Sequence, residues 1–151
     1  MSKQNLQEEL KKSMLAKDEL RTSVLRLLLS AINYYEIQKG GAGYTASPED
    51  VLSVIQKEAK QRRDSIEEFK KAGRQELVDK EQKELEILQT FLPEQMGEDE
   101  VRSIVEQTIS ETGASSIQDM GKVMGALTGK LKGKADMGMV SSLVRQKLSS
   151  S

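Results

Sequence analysis

Leu20, Val24, Leu27, Leu28, Ala31, Ile32 and Tyr35 recur at intervals of three and four residues along one uninterrupted stretch. That interval is the repeat of an α-helix with a single buried face. It excludes a strand, whose side chains change sides at every residue. The same period governs most of the chain, and no alternating pattern lasts more than a few residues. Leu, Ile, Glu, Lys and Gln are dense, prolines number only 2, and aromatic residues make up 3% of the chain. The expected fold is therefore all-α.

Taken in order, a first helix over about 3–17 carries a thin stripe of Leu6, Leu10 and Met14. Asp18 stands where it can cap the second, about 19–38, which the strong stripe makes the central helix of the N-terminal part. Arg21 and Arg26 fall off the stripe and read as solvated charges. Gly40, Gly41 and Gly43 then break the pattern. Ser47-Pro48-Glu49-Asp50 is a helix start: Ser47 caps, Pro48 occupies the first position, and Asp50 completes a capping box. The third helix runs to about Ala72 on Leu52, Ile55, Ala59, Ile66 and Phe69. The fourth, about 75–92, shows Leu77, Leu85, Leu88 and Leu92 on one side. Helical spacing puts Arg62 beside Ile66 and Phe69, and Glu81 and Glu84 on or beside the leucine face. A partly buried ion pair from Arg62 to Glu81 or Glu84 is expected to pin these two helices together. Leu92-Pro93 ends the fourth helix, and PEQMG is the natural boundary between an N-terminal bundle at 1–93 and a C-terminal unit at 97–151.

The C-terminal unit reads as three short helices, about 98–112, 117–132 and 137–148, the middle one with Ser116 as its N-cap, Asp119 in its first turn and Gly133 as its C-cap. The middle one is unusual. Met120, Val123, Met124, Leu127 and Leu131 form its apolar stripe, while Gly121, Gly125 and Gly129 recur every four residues on another face. Each glycine costs about 1 kcal/mol against alanine inside a helix, so three need a reason. One reason is a close crossing with another helix. The other is a groove that admits a sugar–phosphate backbone, flanked by Lys122, Lys130, Lys132 and Lys134. The chain is nearly neutral at −1. Residues 114–151 nevertheless carry six basic side chains against two acids, a local basic bias that fits an anion-binding surface.

What is missing narrows the chemistry. Neither cysteine nor histidine occurs, which removes thiolate chemistry, disulfides, and the commonest general base and metal ligand. GALTGKLKG lacks the spacing of a phosphate-binding loop and follows no strand. No catalytic site, metal site or cofactor is therefore expected. No apolar run approaches membrane length, and the N-terminus has no apolar signal core. A cytoplasmic protein with no membrane association is the resulting expectation.

Three stretches together carry a family resemblance: LRLLLSAINYYEIQKG, then KEAKQRRDSIEEFKKAGRQELVDKEQKELEILQTFLPEQM from Lys57 to Met96, and DMGKVMGALTGKLKGKAD. They resemble the YqeY-like proteins of the GatB/YqeY family over nearly the whole chain. Gly97 departs from the family pattern, which more often has a serine-like cap there. The resemblance implies two helical pieces, an N-terminal bundle of about four helices and a C-terminal unit of three. It also implies kinship with the helical tail of the B subunit of tRNA-dependent amidotransferase. That enzyme amidates Glu-tRNA(Gln) or Asp-tRNA(Asn) with glutamine as nitrogen donor and ATP; its tail helps hold the tRNA, and its catalytic parts lie elsewhere. The expected role is thus a binding module, not a carbon–nitrogen ligase in its own right, with tRNA or another structured RNA as partner. The alternative is a protein-interaction module docking on an amidotransferase or aminoacyl-tRNA synthetase, which the 7 methionines would suit. A free-standing amidotransferase is a third possibility. Salt separates the first two, because counterion release makes RNA binding steeply salt-dependent.

Overall fold

A computed structural model describes residues 1–150. Among the described residues there are seven α-helices and no strand. They divide into two units, Met1–Leu92 and the chain from Pro93 onward.

The first unit holds α1 (Lys3–Leu15), α2 (Glu19–Gly40), α3 (Pro48–Lys71) and α4 (Gln75–Gln89). Local chemistry sets each start. Ser2 and Asn5 form a reciprocal box at α1, with Asn5 N donating to Ser2 Oγ at 3.1 Å and Ser2 N to Asn5 Oδ1 at 2.9 Å. Asp18 accepts from Arg21 N at 3.0 Å and caps α2. Ser47 and Asp50 do the same for α3, at 3.1 and 3.0 Å. Between α1 and α2, Lys17 adopts a left-handed backbone with φ 57°. Inside that corner Ser13 and Thr22 share a buried hydroxyl–hydroxyl hydrogen bond of 2.8 Å, which fixes the angle of the turn.

The core of this unit is Leu6, Val24, Leu25, Leu28, Ile32, Val51, Ile55, Leu88 and Phe91. The buried face of α2 is rotated from the stripe expected for it. Leu25 is fully buried, while Leu20 and Leu27 face solvent. At 100° per residue, Val24, Leu25, Leu28 and Ile32 centre on a line roughly a quarter-turn from Leu20 and Leu27. The leucine-rich run 25–29 supplies apolar residues to both lines, so spacing alone did not separate them. On α3, Val51 and Val54 are buried and Leu52 is partly exposed. A second apolar cluster, Ala59, Ile66, Val78 and Leu85, joins α3 to α4. Those two helices form an antiparallel hairpin about the turn at Gly73, whose φ of 69° suits glycine. The α-helical part of α4 stops at Gln89, short of Leu92, and Thr90 Oγ1 donates back to Ile87 O at 2.6 Å.

The second unit holds α5 (Glu98–Thr112), α6 (Met120–Leu131) and α7 (Met137–Ser149). Its core is Val101, Val105, Val123, Leu127, Leu131, Ala135, Val140, Leu143, Val144 and Leu148. Five methionines, Met96, Met120, Met124, Met137 and Met139, pack partly buried around it. The segment entering α5 is tied to the α6–α7 turn, with Met96 N donating to Lys134 O at 2.8 Å and Gln95 Nε2 to Gly133 O at 2.8 Å. Gly133 sits in that turn, buried and with φ 82°. A side chain there would be strained.

Candidate nucleic-acid interface

The α6 helix presents two faces with different chemistry. Val123, Leu127 and Leu131 are fully buried against α5 and α7. Gly121, Gly125 and Gly129 lie on a face roughly opposite, by the 100° step of the helix. All three are exposed, and a Cβ built on any of them meets nothing within 4 Å. A glycine row that served a helix crossing inside the chain would show the neighbouring backbone at that distance. The row is instead an open, side-chain-free strip on the surface.

The lysines divide around it. Lys122 sits at the edge of the strip, one residue beyond Gly121, and Lys132 and Lys134 lie in the turn that follows α6. All three are exposed, and none forms an ion pair among the described residues. Lys130 belongs to a different edge, next to Val123 on the helical wheel. It donates to Thr108 Oγ1 at 3.1 Å and pairs with Glu111 at 3.0 Å on α5. The hydrogen bond from Lys130 holds the Glu111 carboxyl below its ordinary range. At the other end of α6, Asp119 accepts from Ser115 N at 2.9 Å and Ser116 N at 3.3 Å, and these amides lower its pKa. Lys122 therefore borders the three glycines and Lys132 follows at the end of α6, whereas Lys134 lines a hollow with Gln95, Met96, Glu94 and Glu100 at the entry to α5. Lys130, which sequence spacing groups with them, serves the α5–α6 contact.

Arg62 meets both acids considered for it. Its Nη1 donates to Glu81 Oε2 at 3.0 Å and also to Glu84 Oε2. The Arg62 and Glu84 side chains are only 12% and 9% exposed. The Nε of Arg62 is buried and has no hydrogen-bond partner. The arrangement joins α3 to α4.

Two further carboxylates are buried: Glu36, which no spacing in the sequence marks, and Asp50, which reads there only as a helix cap. Asp50 accepts from Tyr35 Oη at 2.9 Å, Lys39 Nζ at 2.9 Å and the Tyr44 hydroxyl, in addition to the Ser47 amide. Glu36 accepts from Lys3 Nζ at 2.6 Å and Ala46 N at 2.7 Å. Together they bind the glycine loop 40–46 to α2, α3 and the start of α1. Both carboxyls are held below the ordinary range, Asp50 chiefly by the Tyr44 hydroxyl and Lys39, Glu36 chiefly by Lys3. Asp50 reads in the sequence as a helix cap and nothing more; the signal was the presence of Tyr35, Lys39 and Tyr44 just upstream. Among the described residues, no group of three or more carboxylates could hold a metal ion.

Comparison with known proteins gives the family. The profile described as "Yqey-like protein" matches residues 3–148. Curated relatives carry the name "Altered inheritance of mitochondria protein 41, mitochondrial". One from Pyrenophora tritici-repentis is 33% identical over 150 residues, covering 93% of this chain and 77% of the relative. Another from Lachancea thermotolerans is 43% identical over 89 residues, covering 58% of this chain and 46% of the relative. A Saccharomyces cerevisiae relative is 39% identical over 87 residues, with the same coverage. These last two matches span about half the length of the relatives. The cytoplasmic expectation does not survive these relatives, which are mitochondrial proteins by name. It rested on the lack of an apolar signal core, and that criterion says nothing about mitochondrial transit segments, which are amphipathic and arginine-rich. No helix among the described residues is long and apolar enough to cross a membrane. With the profile matched from residue 3 to residue 148 and a relative 33% identical along most of both chains, the chain belongs to the YqeY-like protein family.

Proposed function

We propose that this chain is a binding module for structured RNA of the tRNA type, and that the α6 strip is where the RNA backbone rests. The observation that carries the reading is the open glycine row, Gly121, Gly125 and Gly129, with nothing within 4 Å of a built Cβ. Lys122 at its edge, and Lys132 and Lys134 in the turn that follows, are exposed and form no ion pair among the described residues. A strip without side chains lets a sugar–phosphate backbone approach the helix closely, and ammonium groups at its border and end neutralise phosphates there. Recognition of this kind reads shape. It fits a chain whose few aromatics leave little to stack on unpaired bases. The resemblance to the tail of the amidotransferase B subunit points to tRNA, in a role that supports amidotransfer without carrying its catalytic site.

Binding of labelled tRNA measured across a salt series tests this. Three neutralised phosphates give a log–log salt slope of about −2 to −3. The triple variant Lys122→Ala, Lys132→Ala, Lys134→Ala should lose most of the affinity and flatten the slope, while Lys130→Ala should do much less. Absence of binding at low salt, or equal loss with Lys130→Ala, would refute the assignment.

One observation favours a second reading. Met120 and Met124 lie partly buried on α6, and adaptable methionines suit an apolar partner such as an amidotransferase or synthetase subunit. Binding to such a partner would change little with salt and would survive the lysine variant.

A further inference from the structure

We propose that the corner between α1 and α2 is a docking site for an acidic amphipathic helix of a partner protein. Four of the large apolar side chains left exposed lie at the end of α1 and along the first half of α2: Met14, Leu15, Leu20 and Leu27, with Leu15 86% and Leu27 54% exposed, and Met14 and Leu27 meet in one hollow. Scattered exposed leucines are ordinary, but a cluster of this kind marks an interaction surface. Met14 and Leu27 form the apolar lining of an open hollow of about 690 Å³ whose rim carries Lys17, Arg26 and Glu19. The hollow is preformed, because the buried Ser13–Thr22 hydrogen bond of 2.8 Å and the Asp18 cap hold the corner.

The row Ser23, Leu27, Ala31 and Tyr35 leads from this hollow obliquely across α2. It ends at a second hollow of about 410 Å³ lined by Ala31, Tyr34, Tyr35, Gln38, Val54, Lys57 and Glu58. Rows of residues four apart are the ridges along which helices pack, at a crossing angle of about 50°. Ser23 and Tyr34, one in each hollow, are eleven residues or about 16 Å apart along the axis. A partner helix laid along the row would place apolar side chains about three turns apart into the two hollows.

Charge selects the partner. Lys17, Arg26 and Lys57 form no ion pair among the described residues, and neither do Glu19 and Glu58. The path thus carries three cations against two acids, and two of the cations, Lys17 and Arg26, share the first hollow with Leu27. Lys17 is the one non-glycine residue of the described chain with a positive φ. Its position on the rim sets a cation where glycine would be favoured on backbone grounds. A second copy of this chain is a poor occupant. Two α2 helices crossing antiparallel at Leu27 would bring both Arg26 guanidiniums to the same edge, like charge against like. An acidic helix with a basic residue opposite Glu19 meets no such conflict.

The test uses the full chain and two synthetic helical peptides that share one leucine stripe, one flanked by glutamates and one by lysines. Fluorescence anisotropy gives the affinities, and NMR shifts locate the contact. The acidic peptide should bind more tightly by about tenfold and shift Met14, Leu27 and Tyr34. Arg26→Glu combined with Lys17→Glu should reverse that preference, and Leu27→Ser should weaken binding of both peptides. These three positions are exposed, so an unchanged melting temperature confirms folding. Equal affinity for the two peptides, no binding of either, or shifts confined to other surfaces would overturn the proposal. So would a dimer abolished by Leu27→Ser, or tighter binding to anionic lipid vesicles than to the acidic peptide. The residues lie outside the second unit, so the lysine variants of α6 and this test fail or succeed separately.

Discussion

Arg62 shows what a single residue decides in this chain. Its guanidinium joins Glu81 and Glu84 across the α3–α4 hairpin, and the Glu84 side chain is 9% exposed. Removing the cation leaves a buried carboxylate without its partner, so Arg62→Met should lower stability by about 3 kcal/mol. Replacing the acid as well, in Arg62→Met with Glu84→Leu, should recover most of that, since an apolar pair also removes the unpartnered Nε. Denaturant unfolding of both variants checks the pair; a single variant within the range of surface substitutions would show that the bridge is solvated. The sequence made this pair legible because all three residues fall beside apolar stripes at helical spacing. It did not reveal the Asp50 cluster, since Tyr35, Lys39 and Tyr44 reach Asp50 across a loop and no spacing rule connects them. Lys130 was drawn to the basic strip by its neighbours in sequence, and only the position of Glu111 on α5 shows where it points.

At the scale of elements, α6 sets its core face, Val123, Leu127 and Leu131, opposite the open glycine row proposed for RNA. Gly121, Gly125 and Gly129 face open space, so Gly125→Ala meets no clash and should stabilise the unit by about 1 kcal/mol. A bulky replacement such as Gly125→Phe should also be tolerated by the fold, yet close the strip and reduce tRNA affinity strongly. Thermal melts and binding of the two variants distinguish the roles. If Gly125→Phe unfolds the unit, the row is structural after all; if it folds and binds tRNA normally, the RNA lies elsewhere. The same reasoning explains which helical faces the sequence disclosed. The α5 and α7 helices bury one apolar face each, Val101 and Val105 on α5 and Val140, Leu143, Val144 and Leu148 on α7, and helical spacing alone marks such a face. The α2 helix has apolar residues on two faces, Leu25 with Leu28 on one and Leu20 with Leu27 on the other. Periodicity identifies such a helix but cannot choose its buried side, which depends on what α1 and α3 bring to it.

For the molecule as a whole, the two units should respond differently to acid. Glu36 and Asp50, both buried in the first unit, have carboxyls held below their unfolded values by Lys3 and by Tyr44 with Lys39. A carboxyl with a depressed folded pKa contributes its full stabilisation above the unfolded pKa of about 4 and loses it as pH falls toward the folded value. In the second unit the depressed carboxyls are Glu106, Glu111 and Asp119. None of these is buried, so solvent screening leaves their contribution small. Lowering the pH below about 4 should therefore loosen the first unit before the second. The chain supplies its own reporter, because Tyr34, Tyr35, Tyr44, Phe69 and Phe91 are all of its aromatics and all lie in the first unit. Near-ultraviolet circular dichroism thus follows that unit alone, while the far-ultraviolet signal follows both. The near-ultraviolet signal should fall at higher pH than the far-ultraviolet signal, and Asp50→Asn with Glu36→Gln should lower the stability of the first unit at neutral pH and remove most of its acid dependence, because the titrating carboxyls are gone. Coincident acid transitions in the unaltered chain would mean that the loop clamp on Asp50 and Glu36 does not govern the stability of the unit it closes.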